Sequence, residues 1–308
     1  MSLFKVKATP ITKLGITAYP VVPEFFDTIT SYLNSLKKNN LTYWMSIPML
    51  IYGGNHFFNV IDDYLYLYHL YKNNPELICV PFNKKGECLC IHGLLDYMRE
   101  YDIKKVLVVP ECSDWYNYYD VESLFYVHSN GEGYEYVYDN EEMVNMQGGK
   151  WREFRYKVNK FIRYNGEPEI LTYTPQLQFE CDKIYSRWCK LYQSIHNTSI
   201  WDKSLYSVIL KLYPDTSYLI KLDDEFIGFV TLTPFVSDTY LQSNRKLLFD
   251  EYQYFVQYMQ WKQAQMMLEK GIRYLNDGDD GNIHGLYEFK RRMHPILKFR
   301  NFSLLRKV

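Results

Sequence analysis

Long hydrophobic runs are missing from this sequence of 308 residues. The longest apolar stretch, residues 44–52, is interrupted by Ser46 and Pro48, and it is far shorter than the roughly 20 residues that a helix needs to cross a bilayer. Residues 1–10 also lack the apolar centre of a secretory signal peptide. We therefore expect no transmembrane segment and a cytoplasmic location.

A surplus of one charge is missing as well. The chain has 35 Lys and Arg against 36 Asp and Glu, which gives a formal net charge of −1. This balance argues against a protein that coats nucleic acid with its whole surface, so any attraction to phosphate must come from a local cluster. Hydrophobic residues make up 47% and charged residues 23%, a composition typical of folded globular proteins.

Common metal-binding and catalytic motifs are absent. The six cysteines contain no CxxC pair, and the seven histidines show no HxH or HExxH spacing, so we predict no metal site. The sequence also lacks GxSxG, GxxxxGK[ST] and GxGxxG. These absences argue against a serine hydrolase, a P-loop enzyme and a dinucleotide-binding enzyme.

Helix and strand patterns alternate along the whole sequence, which favours an α/β fold. Apolar strands are predicted at residues 64–71 and 105–110, a hairpin at residues 217–232 and a helix at residues 249–270. The chain is long enough for one large domain or two modest ones.

Two segments share the order of a helix end followed by a strand. Residues 98–110 and 267–276 show this pattern, which suggests an internal duplication of an α/β unit. The alternative is that joints between a helix and a strand generally look alike. A boundary at Gly148-Gly149 divides the chain into predicted domains of residues 1–147 and 148–308.

Residues 148–163, GGKWREFRYKVNKFIR, form a local basic cluster with six basic residues and one acidic residue. At 100° per residue, the apolar side chains share one arc, which predicts a helix with one buried face. The adjoining arc carries Arg152, Arg155, Asn159 and Arg163. Guanidinium groups bind phosphate or carboxylate through two parallel hydrogen bonds, so this arc is a candidate anion site. The alternative is an amphipathic surface helix whose arginines pair with acids elsewhere.

An acidic, glycine-rich segment occupies residues 276–289 and follows a predicted strand at residues 272–276. Open α/β sheets build sites at such strand ends. A calcium loop is not predicted, because Gly281 and Asn282 stand where a ligand and a glycine are needed. Asp279 and Asp280 therefore either cap the following helix or recognise an amine of the substrate.

Taken together, the two segments resemble the C-terminal catalytic domain of bacterial phosphatidylglycerol lysyltransferases. The first match is a Gly-Lys start and an Arg-x-x-Arg-x-x-x-Asn-x-Phe helix, here Gly149-Lys150, Arg152, Arg155, Asn159 and Phe161. The second match is Tyr274-Leu275-Asn276, the acidic turn, Leu286, Phe289-Lys290 and Pro295. The predicted hairpin, with Gly228 in its second strand, is similar to the central strands of the GNAT acyltransferase fold.

The resemblance implies two GNAT-like units in tandem, each a mixed central sheet flanked by helices. It implies an acyltransferase that moves an aminoacyl group from aminoacyl-tRNA to a small or lipid-like acceptor, with tRNA as a partner. No cofactor is implied beyond the co-substrate, which is aminoacyl-tRNA or acyl-CoA. For this chemistry we predict catalytic roles for Asp277 and Lys290, and substrate-binding roles for Arg152, Arg155, Asn159, Arg163, Asn276 and Asp279. The general base is not identified by the sequence, and Asp277 and Asp279 are the candidates.

Two departures from the family pattern bear on the substrates. Lipid-modifying members carry a membrane-embedded region ahead of this domain, and no such region is found here, which argues against a lipid acceptor. Acyl-CoA enzymes hold pyrophosphate with a Q/R-x-x-G-x-G/A turn, whereas residues 245–254 contain no glycine, so acyl-CoA is disfavoured. A non-catalytic module of the same fold that binds a nucleotide or RNA is the alternative to an enzyme.

Overall fold

The structure is a computed structural model that describes residues 11–13, 15–51, 55–72, 74–129, 131, 133–196, 203–248 and 252–307. The chain forms two compact units, each assembled from separate stretches. Unit 1 contains Met1–Tyr136, Phe235–Ser237 and Gly278–Val308, and unit 2 contains Val137–Pro234 and Asp238–Asp277. The domain boundary after residue 147 was predicted from a possible internal duplication of the sequence, and it stays a prediction.

The strands of the described residues follow one another along the chain as β1 (Ile11–Lys13), β2 (Ile16–Pro20), β3 (His56–Ile61), β4 (Tyr64–Tyr71), β5 (Asn74–Leu77), β6 (Phe82–Asn83), β7 (Lys105–Pro110), β8 (Phe125–Ser129), β9 (Glu135–Asp139), β10 (Glu169–Thr172), β11 (Ser217–Leu222), β12 (Glu225–Val236), β13 (Thr239–Leu247), β14 (Tyr274–Asp279), β15 (Leu297–Phe299) and β16 (Asn301–Arg306).

The helices are α1 (Phe26–Leu33), α2 (Ile47–Ile51), α3 (Ile91–Glu100), α4 (Asp114–Tyr118), α5 (Val121–Leu124), α6 (Asn140–Asn145), α7 (Arg152–Asn165), α8 (Gln178–His196), α9 (Lys203–Leu212), α10 (Phe255–Glu269) and α11 (His284–Arg291). Among the described residues, no helix combines the length and the apolar character that spanning a bilayer requires.

Unit 1 contains a mixed sheet with the strand order β1-β2-β3-β4-β5-β7-β16-β8, and β6 pairs with β4. Its neighbours are antiparallel except β5 and β7, which run parallel with Leu77 opposite Val106. Helix α3 lies between these two strands in the chain, as a parallel crossover requires. The apolar face of α3, which includes Leu94, Leu95 and Met98, is buried in the core of unit 1.

Unit 2 contains strands in the order β10-β11-β12-β13-β14-β9. The predicted hairpin is confirmed, since β11 and β12 pair antiparallel, whereas β13 and β14 run parallel. A Cβ atom at Gly228 would lie 2.6 Å from Leu247 Cδ2, so the glycine allows β12 and β13 to approach closely. The sheet is therefore mixed, as predicted for each unit.

Helices pack on both faces of the sheet of unit 2. Adjacent residues of a strand point to opposite faces, and on β13 Arg245 reaches Gln260 of α10 while Lys246 Nζ lies 4.1 Å from the ring centroid of Trp188 in α8. Helix α10 also packs against α6 and α7. The basic helix predicted from the sequence is thus the outer partner of α10 on one face of the sheet.

The predicted apolar stripe of the basic helix is confirmed. Trp151, Phe154, Val158 and Phe161 are buried, and the Phe161 ring stacks on Tyr258 of α10 with 4.7 Å between ring centroids. The helical segment differs in its bounds from residues 148–163, because Gly149–Trp151 form a 3₁₀ turn and α7 continues to Asn165.

Candidate active site

Strands β13 and β14 separate within unit 2. Their parallel ladder has three residue pairs, which run from Thr239 opposite Tyr274 to Leu241 opposite Asn276. Beyond these pairs, β13 continues to Leu247 and β14 to Asp279. Separated strands present backbone groups and side chains that the ladder no longer occupies, which makes this strand end a candidate site.

A buried ion pair joins the two separated strands. Arg245 Nη1 lies 3.0 Å from Asp277 Oδ1, and Nη2 donates to Oδ2 at 3.1 Å. The Asp277 side chain is fully buried and that of Arg245 is 15% exposed. The pair thus combines one charge-assisted hydrogen bond, which is stronger than a hydrogen bond between neutral groups, with a second close contact between opposite charges. The side chain of Asp277 is therefore engaged by Arg245 within unit 2.

Polar side chains of α10 surround this ion pair. Gln260 accepts a hydrogen bond from Arg245, and Gln263 donates to Gln242 of β13. Both α10 glutamines are fully buried, yet among the described residues Gln260 Nε2 and Gln263 Oε1 have no hydrogen-bond partner. Buried polar atoms without a partner are rare in folded proteins, so these two atoms are available to a polar ligand or to water.

The carboxyl group of Asp279 has hydrogen-bond partners that are distant in the sequence and nearby in the chain. It lies in unit 1, where the Tyr43 hydroxyl donates to Oδ2 at 2.5 Å and the backbone N–H of Gly281 donates to Oδ1 at 3.0 Å. Burial raises the pKa of Asp279 above its ordinary value, and the Tyr43 hydrogen bond and the nearby charge of Lys290 offset part of this rise. A carboxyl with a raised pKa is suited to accept and release a proton.

Lys290 is buried in α11 of unit 1. Its ammonium group donates to the carbonyl oxygen of Asp279 at 2.7 Å and to that of Gly278 at 3.3 Å. A cation at this position stabilises negative charge that develops near the end of β14. The structure thus brings together Asp279 and Lys290, two of the residues implied by the family resemblance.

The structure shows whether Asp279 and Asp280 cap the helix that follows the acidic turn. Asp280 is buried, accepts from the Tyr136 hydroxyl at 2.7 Å and accepts from the backbone N–H of Asn282 at 3.0 Å. Helix α11 begins after Ile283, which makes no side-chain cap hydrogen bond. Asp279 and Asp280 therefore fix the turn before α11 rather than the helix cap itself.

The residues implied for substrate binding lie at different depths. Asn276 is buried in β14, whereas Arg152, Asn159 and Arg163 are exposed on α7 and Arg155 is half-buried. In unit 2, Asn276 and Asp277 lie beside Arg245, which the sequence did not identify. Their implied binding roles stay predictions. In the part of the chain that the structure describes, no three His, Cys, Asp or Glu side chains are placed to hold a metal ion.

Arg155 has a structural task that the sequence did not suggest. Its guanidinium donates to the carbonyl oxygens of Met146 and Gly148, in the loop that leads to α7.

We expect Arg155→Ala to lower the free energy of unfolding by about 1–3 kcal/mol, because two carbonyl groups lose a charged donor. Urea denaturation tests this, with Lys150→Ala as the control. Lys150 forms an exposed ion pair with Glu142 and should change stability by less than about 1 kcal/mol; equal effects of the two variants would contradict the structural task.

Three side chains that contact the candidate residues, two in unit 2 and one in unit 1, were not predicted from the sequence. Arg245 and Gln260 come from elements that carry no site motif, although a strand with Gln242 and Asn244 beside buried residues is a weak signal of a polar core. Tyr43 is separated from Asp279 by 236 residues, so no local pattern connects them.

Comparisons with known proteins identify relatives of this chain. Residues 49–300 match the family model described as phosphatidylglycerol lysyltransferase, C-terminal. No curated protein matches the sequence.

Three solved structures have a similar fold. A conserved protein of unknown function from Bacteroides thetaiotaomicron matches with a TM-score of 0.76 and 17% identity, over 94% of this chain and 99% of that one. L-PGS from Bacillus licheniformis matches with a TM-score of 0.67 and 13% identity, over 96% and 94% of the two chains. A GNAT-family acetyltransferase from Colwellia psychrerythraea matches with a TM-score of 0.53 and 8% identity, over 98% and 100%.

These matches confirm both the predicted fold class and the family resemblance. The fold is α/β with two mixed sheets flanked by helices, and it is GNAT-like. Because the family model covers most of the sequence, including α7 and the acidic turn, the chain belongs to the phosphatidylglycerol lysyltransferase C-terminal family.

Proposed function

We propose that this protein is an acyltransferase that moves an aminoacyl group from aminoacyl-tRNA to an amine or hydroxyl of a small or lipid-like acceptor. Membership of the lysyltransferase family supports group transfer. The observation that carries the proposal is the half-buried carboxyl of Asp279, which accepts a hydrogen bond from Tyr43, has a raised pKa and lies beside Lys290 within the matched segment.

The proposed reaction needs one proton acceptor and one stabiliser of negative charge. The acceptor oxygen or nitrogen attacks the ester carbonyl carbon of the donor, and a new acyl bond forms. The bond to the ribose oxygen breaks, and the proton lost by the acceptor ends on that leaving oxygen. An enzyme accelerates this exchange by holding the reactants in line, by relaying the proton and by stabilising the oxyanion.

The geometry supports a division of these tasks among named residues. Asp279 takes the acceptor's proton and returns it to the leaving ribose oxygen, and the ammonium group of Lys290 stabilises the developing negative charge. Asp277 acts as a positioning residue, because its carboxylate fixes Arg245 at the strand end. Asn276, which is buried in the same strand, is a proposed contact for the α-amine of the aminoacyl group.

The test is transfer from charged tRNA. Purified protein is incubated with tRNA carrying radiolabelled amino acids, together with either phosphatidylglycerol vesicles or a panel of soluble amines and alcohols. We expect protein-dependent loss of label from tRNA and its appearance in one acceptor fraction. Acetyl-CoA offered to the same acceptors should give no product, because the sequence lacks the glycine turn that holds pyrophosphate.

A matched pair of variants checks that transfer uses the proposed site. Asp279→Asn should abolish most of the transfer, whereas Asp224→Asn, in the exposed turn between β11 and β12, should keep wild-type turnover. Equal binding of charged and uncharged tRNA without transfer to any acceptor would instead favour a non-catalytic RNA-binding module.

A further inference from the structure

The outer face of α7 carries exposed tyrosines between cations. At 100° per residue, five side chains lie within about 120° of one another along roughly 18 Å of helix. We call them the tyrosine–cation face, and they are Arg152, Tyr156, Lys160, Arg163 and Tyr164. Tyr156 is 56% exposed and Tyr164 is 71% exposed, so both rings are open to a partner.

The two arginines of this face do not form ion pairs with acidic neighbours among the described residues. Among the described residues, Arg152 and Arg163 make no ion pair and no hydrogen bond. The acidic residue of the helix, Glu153, lies within the same arc, but it pairs with Lys157 at 2.6 Å, so its charge is offset by a cation that is not part of the tyrosine–cation face. A partner would therefore meet positive charge that is not already neutralised, which favours a polyanion.

Lys160 organises the rings of the face. Its Nζ lies 5.6 Å from the ring centroid of Tyr156, 5.7 Å from that of Tyr164 and 5.4 Å from that of Tyr254, which precedes α10. Attraction between a cation and the faces of aromatic rings lies within this range. The rings are thus held around one positive charge before any partner binds.

We propose that the tyrosine–cation face binds single-stranded RNA, with bases stacked on Tyr156 and Tyr164 and phosphates bound by Arg152, Lys160 and Arg163. Flat rings alternating with cations suit a strand whose bases are unstacked. A membrane surface fits less well, because insertion into a bilayer uses exposed aliphatic or large apolar side chains, and the large exposed hydrophobic side chains of α7 are both tyrosines. The inference rests on the proposed function in that the RNA would be the unpaired end of the donor tRNA.

The experiment measures binding of uncharged tRNA and of a single-stranded RNA 12-mer by fluorescence anisotropy, between 50 and 200 mM salt. Tyr156→Ala with Tyr164→Ala should weaken binding by roughly tenfold for each ring removed. The same positions changed to Phe should keep the affinity, because the flat ring is retained. Removing Arg152, Lys160 and Arg163 together should reduce the slope of log affinity against log salt by about 2.

The matched control is Tyr71→Ala with Tyr126→Ala. These two tyrosines of unit 1 are also exposed and also lie near a lysine, but they are not part of the tyrosine–cation face. Wild-type affinity in this control, with weakened binding in the α7 variant, supports the inference. Equal losses in both variants would overturn it, and so would loss of binding to phosphatidylglycerol vesicles rather than to RNA.

Failure of the inference and failure of the proposed function give different results. If the wild-type protein transfers an aminoacyl group and the α7 tyrosine variant has an unchanged KM for aminoacyl-tRNA, the inference is wrong while the function stands. If the wild-type protein binds RNA through α7 but transfers nothing, the inference stands and the function is wrong.

Discussion

Replacing Arg245 with Ala is expected to lower the free energy of unfolding by about 3–5 kcal/mol, the largest stability effect that we expect in this protein. The reason is the environment of Asp277, whose side chain is fully buried. Without Arg245, its carboxylate would lose its ion-pair partner and the hydrogen bond from Nη2 while it stayed out of water. Gln260 would lose its donor as well. Urea denaturation followed by tryptophan fluorescence measures the effect.

The chain offers a matched control within the same unit. Arg273 contacts Asp139 Oδ2 through two guanidinium nitrogens at 3.1 and 3.0 Å, but the Arg273 side chain is 51% exposed. Asp139 also accepts from the backbone N–H groups of Glu141 and Glu142, so it keeps partners without Arg273. We expect Arg273→Ala to reduce stability by about 1 kcal/mol or less.

A double variant separates the ion pair from the rest of the packing. Arg245→Leu with Asp277→Leu removes both charges, so no uncompensated charge is buried, and most of the stability lost in Arg245→Ala should return. If Arg245→Ala destabilises the protein no more than Arg273→Ala, the buried ion pair contributes less to the free energy of unfolding than we expect.

Asp279→Asn is expected to reduce transfer by about 10²- to 10⁴-fold, the range that loss of a general base produces. The fold should not suffer, since an asparagine retains an oxygen that can accept from the Gly281 N–H and an amide that can face Tyr43. The steady-state rate with aminoacyl-tRNA measures the loss, and the far-ultraviolet circular dichroism spectrum checks the fold.

The pH dependence of stability should distinguish this carboxyl from an ordinary one. Because burial raises the pKa of Asp279 in the folded protein, its titration contributes stability that is fully present below its unfolded pKa of about 3.9. That contribution is lost as the pH rises through the folded pKa. We therefore expect the Tm of Asp279→Asn to exceed that of the wild type at neutral pH, and the difference to shrink as the pH falls.

Tyr43→Phe provides an independent check on the same group. The Tyr43 hydroxyl lowers the pKa of Asp279 against the effect of burial, so its removal should raise that pKa further. The acid limb of the pH–rate profile should move to higher pH in Tyr43→Phe and disappear in Asp279→Asn. An acid limb at the same pH in the wild type and in Tyr43→Phe would assign the proton acceptor to another residue.

Local periodicity explains what was predicted correctly. Strands β4 and β7 begin and end at the predicted residues, because their apolar runs are short and bounded. The buried stripe of α7 follows from 3.6-residue spacing alone. The motif of α7, together with the acidic turn and the Phe-Lys segment that follows it, identified the family, because both matches are found in the sequence alone.

One prediction about the acidic turn is wrong. The sequence placed Asp277 in a turn after a strand at residues 272–276, whereas β14 continues to Asp279 and Asp277 is buried in it. Acidic and glycine residues are poor strand formers when they are considered alone. Here the ion pair with Arg245 offsets the free-energy cost of burying the Asp277 side chain, so Asp277 can lie inside the strand.

The sequence by itself determined the α/β class, the family and the amphipathic character of α7, since each depends on residues close together in the chain. The tertiary structure decided which carboxyl contacts an arginine and which one has a raised pKa. Asp277 meets Arg245 across 32 residues, and Asp279 meets Tyr43 across 236. The charge state of a buried acid depends on burial and on such distant partners, and only the folded chain brings them together.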